Sequence, residues 1–212
     1  MINRAPWLLL LLALAVPAAG ESVFSYPVAE NPERQRQLST LAETMSATSR
    51  IEGRFTQTKH LQILEQPLVS RGRFSLDDEG RFSWEIHQPF PQAYHFRDGE
   101  LIRSVDGEEE RVAPADEPSL HGFFQFFSAL LQLTEADLGV HFTRYFRHLD
   151  DEQWEMGLRP KDRRMRRVLD DMVVLGRGER IQAVTLKEPG GDRTELNFDY
   201  HREEAGTSGE SP

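Results

Sequence analysis

Arg73-Phe74-Ser75-Leu76-Asp77-Asp78-Glu79-Gly80-Arg81-Phe82-Ser83-Trp84-Glu85-Ile86 is the stretch on which the fold turns. Phe74 and Leu76 alternate with polar neighbours before an acidic cluster that ends in glycine, and Phe82, Trp84 and Ile86 resume the alternation after it. A period of two on both sides of a turn predicts an antiparallel hairpin with one apolar face. Upstream, Ile51, Gly53 and Phe55 alternate in the same way with Glu52, Arg54 and Thr56. Downstream, turn signals recur at Asp98-Gly99, Asp106-Gly107 and Pro189-Gly190-Gly191-Asp192, each beside a short run with aromatic or β-branched residues. Residues 172–175, 181–186 and 194–200 read as three closing strands, so a succession of antiparallel strands is expected.

Three segments break that pattern. Over residues 32–49, Leu38, Leu41, Ala42 and Met45 recur at helical spacing behind Asn31-Pro32-Glu33, a helix start. A second helix is expected over residues 118–133, followed by a short turn of helix that Thr134-Glu135-Ala136-Asp137 would cap. A third is expected near residues 162–169. The middle one is the most informative, because Phe123, Phe124, Phe126 and Phe127 fill four of five consecutive positions and Leu130 and Leu131 follow. Such spacing spreads apolar surface round much of the helix. Either this is a core helix, or its second apolar side awaits a ligand or another protein, since one face of a sheet would leave part of it uncovered.

The 212 residues carry 38% hydrophobic and 28% charged side chains, a formal charge of −10 and no cysteine. One soluble domain behind a processed leader fits that length, and no disulfide can staple it. The acidic balance argues against a nucleic-acid partner, which would need a basic face. Residues 1–20 have one cation at Arg4, an apolar run over 7–16 and a small-residue end at Pro17-Ala18-Ala19-Gly20, the signature of a secretory signal peptide. The run is about half the roughly 20 residues of a membrane-spanning helix. Cleavage after Gly20 would leave a mature chain at a formal charge of −11, with one domain over 21–202 and a Gly-, Ser- and Glu-rich tail over 203–212 expected to be disordered. In a two-membrane envelope the destination would be the periplasm.

Catalytic signatures are missing from the sequence. The seven histidines show no metal-ligand spacing, no Gly-x-Ser-x-Gly elbow occurs, and Gly176-Arg177-Gly178 lacks the third glycine of a nucleotide loop. The acidic clusters 77–79 and 150–152 lack the alternating ligands of a calcium loop and read as solvated turns. Neither an enzyme nor a cofactor site is expected, and no metal. One charged feature stands out: Lys161, Arg163, Arg164, Arg166 and Arg167 crowd into seven positions of an acidic chain. They form either a solvated face or a docking patch for anionic lipid head groups or an acidic partner.

The ordered pieces resemble the LolA-type lipoprotein carriers of the bacterial periplasm, and more closely a divergent LolA-like group. The resemblance rests on the leading helix, Phe55-Thr56-Gln57-Thr58-Lys59, Pro67-Leu68-x-Ser70-x-Gly72-x-Phe74, Gly80-Arg81-Phe82-x-Trp84 with Pro89 after it, Asp98-Gly99-Glu100-Leu101, and Trp154-x-x-x-Leu158-x-Pro160. It implies an α+β fold, an incomplete antiparallel β-barrel (half-barrel) whose open, concave side is covered by helices over an apolar, acyl-binding cavity. It also implies a lipoprotein or amphiphilic lipid as cargo, an inner-membrane donor, an outer-membrane acceptor and a monomeric, non-catalytic carrier. In LolA proper an arginine in the turn before the Trp-bearing strand helps hold the lid closed, and on the Gly-to-Trp spacing Asp78 stands at that position here. LolB, the lipid-anchored receptor, is excluded as a counterpart because this chain has no cysteine.

The physics of the cargo agrees. An acyl chain of about 16 carbons gains on the order of 12 kcal/mol gross on leaving water, at about 0.8 kcal/mol per methylene, so soluble transport needs a dry pocket. Phe55, Phe74, Phe82, Trp84, Phe96, Trp154 and Phe198 are the expected inward residues of the strands, and Phe123, Phe124, Phe126, Phe127, Leu130 and Leu131 those of the lid. A lid that packs its own rings into the empty cavity would subtract that packing from the gross gain and keep binding reversible. The alternative is a non-catalytic envelope protein-binding module that uses the Phe-rich helix as its interface.

Overall fold

The computed structural model describes residues 21–47, 50–133 and 135–200, so the expected leader and tail, and the capping residue Thr134, lie outside the described residues. The expected hairpin forms from β2 (Leu68–Leu76) and β3 (Phe82–Gln88), with Phe74 opposite Trp84 and Leu76 opposite Phe82. It is one part of a single antiparallel sheet completed by β1 (Ile51–His60), β4 (Gln92–Arg97), β5 (Glu100–Val105), β6 (Glu108–Val112), β7 (Phe142–His148), β8 (Gln153–Pro160), β9 (Asp171–Arg177), β10 (Arg180–Lys187) and β11 (Arg193–Tyr200). The order across the sheet is β6-β5-β4-β3-β2-β1-β11-β10-β9-β8-β7. Neighbouring strands are joined by hairpins except at the central β1–β11 pair. The Asp98-Gly99 and Asp106-Gly107 turns hold both residues at positive φ, 51° and 78° in one and 53° and 84° in the other. That is the geometry whose twist matches a two-residue hairpin.

β6 and β7 are the two free edges, and they do not pair, so the barrel stays open. They are also consecutive strands. The chain that leaves one edge must therefore cross the mouth to reach the other, and it does so through α2 (Pro118–Leu131) and α3 (Glu135–His141). The helical cover over the open side follows from connectivity as much as from hydrophobicity.

The N-terminal helix, α1 (Pro32–Ser46), buries Leu38, Ala42 and Met45, and the Asn31 side chain accepts from the Arg34 amide at 3.0 Å to cap it. Residues before it protect the β7 edge: Pro27 bridges Tyr145, the Val28 amide donates to the Arg144 carbonyl at 2.9 Å, and the Phe146 amide donates to the Tyr26 carbonyl at 3.0 Å. The β6 edge instead carries Glu108, Glu109 and Glu110, a charged row that discourages pairing with another chain.

Two expectations are corrected. The helix expected near 162–169 is only a 3-10 turn at Met165–Arg167. Four of that segment's eight residues are arginines, and only Met165 and Leu169 pack against the core, too few apolar positions to hold a full helix in water. The α2 helix ends at Leu131, two residues before the expected end. Strand β7 has no clean alternation to announce it, because Arg144 and Arg147 interrupt the run between Phe142 and His148.

Candidate functional site: the aromatic interior and its helical cover

Side chains pointing alternately inward from the strands build the floor. Phe55 of β1, Phe74 of β2, Phe82 and Trp84 of β3 and Phe96 of β4 are buried, and Phe198 of β11 is half-buried. Trp84 lies over Phe55 with 3.7 Å between ring centroids and 20° between planes. The two rings belong to strands separated by β2, and they meet because the residue between them is Gly72: a Cβ there would collide with the Glu85 carbonyl and come within 2.8 Å of the Phe55 ring. Trp154 stands apart from this group. Its ring covers Gly176 and approaches Phe146 at 6.3 Å, and its indole N–H donates to the Gly178 carbonyl at 2.9 Å.

Helix α2 closes over the floor. Phe123 and Phe127 both sit 6.0 Å from Trp84 and 4.5 Å from each other. Phe124 turns to one limb of the sheet, 5.7 Å from Phe82 and 5.2 Å from Tyr94, while Phe126 turns to the opposite limb, 5.4 Å from Phe142 of β7. Leu130 and Leu131 are fully buried. The second apolar side of the helix therefore finds its partner within the chain, because the sheet curls round it, and the expectation that a sheet would leave it uncovered is corrected. Each such aromatic pair adds roughly 0.5–1.5 kcal/mol beyond area burial.

Two polar fasteners, neither singled out by the sequence, fix the start of α2. His121, buried, donates its Nε2–H to the Val112 carbonyl of β6 at 2.7 Å; a carbonyl only accepts, so the proton is on Nε2. Arg103 of β5 forks to Glu110 at 2.7 Å and to Glu117 at 2.9 Å, tying the residue before α2 to the sheet. Beside them, burial pushes the Tyr94 phenol above its ordinary value, against the opposing pull of Arg103. Asp78 takes no part. It is exposed in the β2–β3 turn, where its neighbour Asp77 accepts from the amides of Glu79 and Arg81.

The rings of α2 occupy the concave face beneath it, and space of ligand size lies alongside: a groove of about 640 Å³. That is within the range of about 300–1,000 Å³ typical of small-molecule sites. Gly122 and Ala129 of α2, Phe126, Leu138, Phe142 and Met165 give it an apolar wall, with Gln125 and Gln132 as polar points. Among the described residues no three His, Cys, Asp or Glu side chains converge on a metal-sized site, and no helix is long and apolar enough to cross a membrane.

Residues 34–205 match a family described as outer membrane lipoprotein carrier protein LolA-like. Solved structures similar to the chain include a LolA superfamily protein from Nitrosomonas europaea, 9% identical, covering 78% of this chain and 90% of that one at a TM-score of 0.40. A putative outer membrane lipoprotein-sorting protein domain from Vibrio parahaemolyticus is 11% identical and covers 84% and 96% at 0.41. The Pseudomonas aeruginosa MucA/MucB complex contributes a chain 10% identical, with 76% and 54% covered at 0.44. No curated protein sequence matches the chain.

Proposed function

Because the chain belongs to the family of outer membrane lipoprotein carrier proteins that are LolA-like, we propose that it is a non-catalytic periplasmic carrier that shields the acyl chains of a lipoprotein or other amphiphile between half-barrel and lid and ferries them towards the outer membrane. One observation carries the reading. Phe123 and Phe127 fill the concavity over Trp84 with side chains that an acyl chain can replace, contact for contact. Displacing them costs part of what the acyl chain gains, so affinity stays low enough to hand the cargo on. The groove beside α2 supplies room for a chain to enter before the rings move. His121 and Arg103 supply the restoring bonds that Asp78 does not.

The use of the Phe-rich helix as a permanent protein interface has less support, since Phe124 and Phe127 are buried against the sheet. The deciding experiment is titration of the mature protein with a fluorescent fatty-acyl probe, paired with mass spectrometry of an organic extract of natively purified protein. Saturable probe binding and a co-purifying amphiphile are expected. A protein that binds neither acyl probe nor lipoprotein, and yields no lipid, would overturn the proposal.

A further inference from the structure

The strand directions sort the connections onto two rims. The β1–β2, β3–β4, β5–β6, β8–β9 and β10–β11 connections share one rim with the start of β7, and the β2–β3, β4–β5, β7–β8 and β9–β10 turns share the other. The first rim gathers exposed apolar side chains: Ile63 is 88% exposed, Phe90 79%, Val140 68% and Val168 59%, with Leu64 and Leu68 beside Ile63. Ile63 and Phe90 sit at the tips of their hairpins. Large apolar side chains at loop tips lose free energy in water unless something covers them.

The same rim carries the cations. Arg163, Arg164, Arg166 and Arg167 in the β8–β9 connection are exposed and make no ion pair with a described residue, while Lys161 donates to the Gly139 carbonyl at 2.6 Å. Of the acids close to them, Asp162 accepts from the amides of Arg164 and Met165, Glu188 lies 3.6 Å from Lys59, Asp192 accepts from the Gln62 amide at 2.8 Å, and Asp170 is exposed in the same connection, so five cations face two acids within residues 161–170. The Gln62–Asp192 bond, with Gln62 Nε2 donating to the Gly191 carbonyl at 2.9 Å, pins the β1–β2 loop so that its tip projects. The opposite rim holds the acidic clusters 77–79 and 150–152. Glu65 and Asp106 also lie on the first rim, so its cationic character is local to residues 161–167, and an anionic surface would draw that patch while repelling the more acidic second rim.

We infer that the first rim is a docking surface for an anionic lipid bilayer: Ile63 and Phe90 enter the interfacial layer while the arginines of residues 163–167 engage the head groups. The groove beside α2 runs from Gly99 at the opposite rim to Met165 at this one, so one of its ends lies at the docking surface. The inference stands on exposure and charge and does not depend on the carrier reading.

The test is co-sedimentation of the mature protein with vesicles of phosphatidylcholine alone and of phosphatidylcholine mixed with phosphatidylglycerol. Binding to the anionic vesicles only is expected, weakening with added salt. Arg163→Glu with Arg164→Glu should lower the partition coefficient at least tenfold, and Ile63→Ser with Phe90→Ser should lower it severalfold; all four sites are exposed, so neither variant should alter the fold or binding of a soluble acyl probe. Phe90→Trp should add an emission that blue-shifts when anionic vesicles are present, against the constant background of the buried Trp84 and Trp154. Absence of binding, binding indifferent to both double variants, or an unshifted emission from the Phe90→Trp variant would overturn the inference. So would loss, in the arginine variant, of an acidic protein partner by a chain that ignores vesicles.

Discussion

Phe55 and Trp84 stack across a strand that separates them, with Gly72 supplying the gap through which the rings touch. The contact lies where the lid lands, since Phe123 and Phe127 both rest on the Trp84 indole.

Gly72→Ala should be among the most damaging single-methyl additions in the chain. The new Cβ would meet the Glu85 carbonyl and the Phe55 ring, so either the β2–β3 ladder or the stack must yield. A loss of about 2–4 kcal/mol is expected from overpacking against backbone, read from the urea midpoint at unchanged m-value. A midpoint within error of wild type would show that the sheet bends freely there.

Phe127→Ala should unsettle the lid and improve acyl binding at once. Deleting a fully buried ring costs about 3–5 kcal/mol of stability through lost transfer energy and a cavity. An acyl probe that fills the vacancy no longer has to expel the ring, so its Kd should fall about tenfold, equivalent to roughly 1.4 kcal/mol. Phe123→Ala, at a half-buried position, should show both effects more weakly. Weaker probe binding in Phe127→Ala would mean that the ring helps hold the ligand instead of competing with it.

His121→Ala removes the donor to the Val112 carbonyl and leaves that acceptor without its partner under the lid. A cost of about 1–3 kcal/mol is expected. Hydrogen exchange should localise it, with amides of α2 losing protection while those of β1 and β11 keep theirs; uniform loss across the sheet would refute a local fastening role.

Acid should loosen the turns before the core. Amide donors from Gln153 and Glu152 hold the Asp150 carboxyl below its ordinary value, and those from Arg164 and Met165 do the same for Asp162. A depressed carboxyl stabilises the fold fully above its unfolded-state value and loses that contribution as pH falls through the folded-state value. Stability should therefore be flat from neutrality to about pH 5 and fall below it, with a shallower acid limb in Asp150→Asn. Identical acid limbs in wild type and Asp150→Asn would remove this turn from the account.

The hairpins were legible because period-two alternation and Asp-Gly turn chemistry are local properties of the chain. The partner of the Phe-rich helix was not, because it depends on curvature. Gly53 and Gly72 permit close approach of strands and rings, yet a glycine in a strand does not announce which way the sheet will bend. Strand β7 was hidden by arginines whose placement makes sense only in the fold: Arg147 pairs with Glu155 of β8 at 2.6 Å, and Arg144 faces α3 at Gly139. Among the expected interior residues, Trp154 is buried as expected but serves the β8–β9 limb, since its ring is committed to Gly176. Ile63 and Phe90 are hard to place from sequence because large hydrophobic residues are usually buried. Their signal was an apolar pair in mid-loop and a phenylalanine between Pro89 and Pro91.

The pairing of β1 with β11 has a consequence for biogenesis. It joins Gly53 to Tyr200, on the first and last described strands, and among the described residues it is the one ladder connecting the meander β1–β6 to the meander β7–β11. Each meander can assemble from neighbouring hairpins as it emerges, but the seam between them must wait for the final strand to be delivered. Completion of the half-barrel therefore depends on the most sequence-distant pairing in the sheet, and a refolding series should find substitutions at Thr56 and Asn197 slowing the last kinetic phase rather than the first.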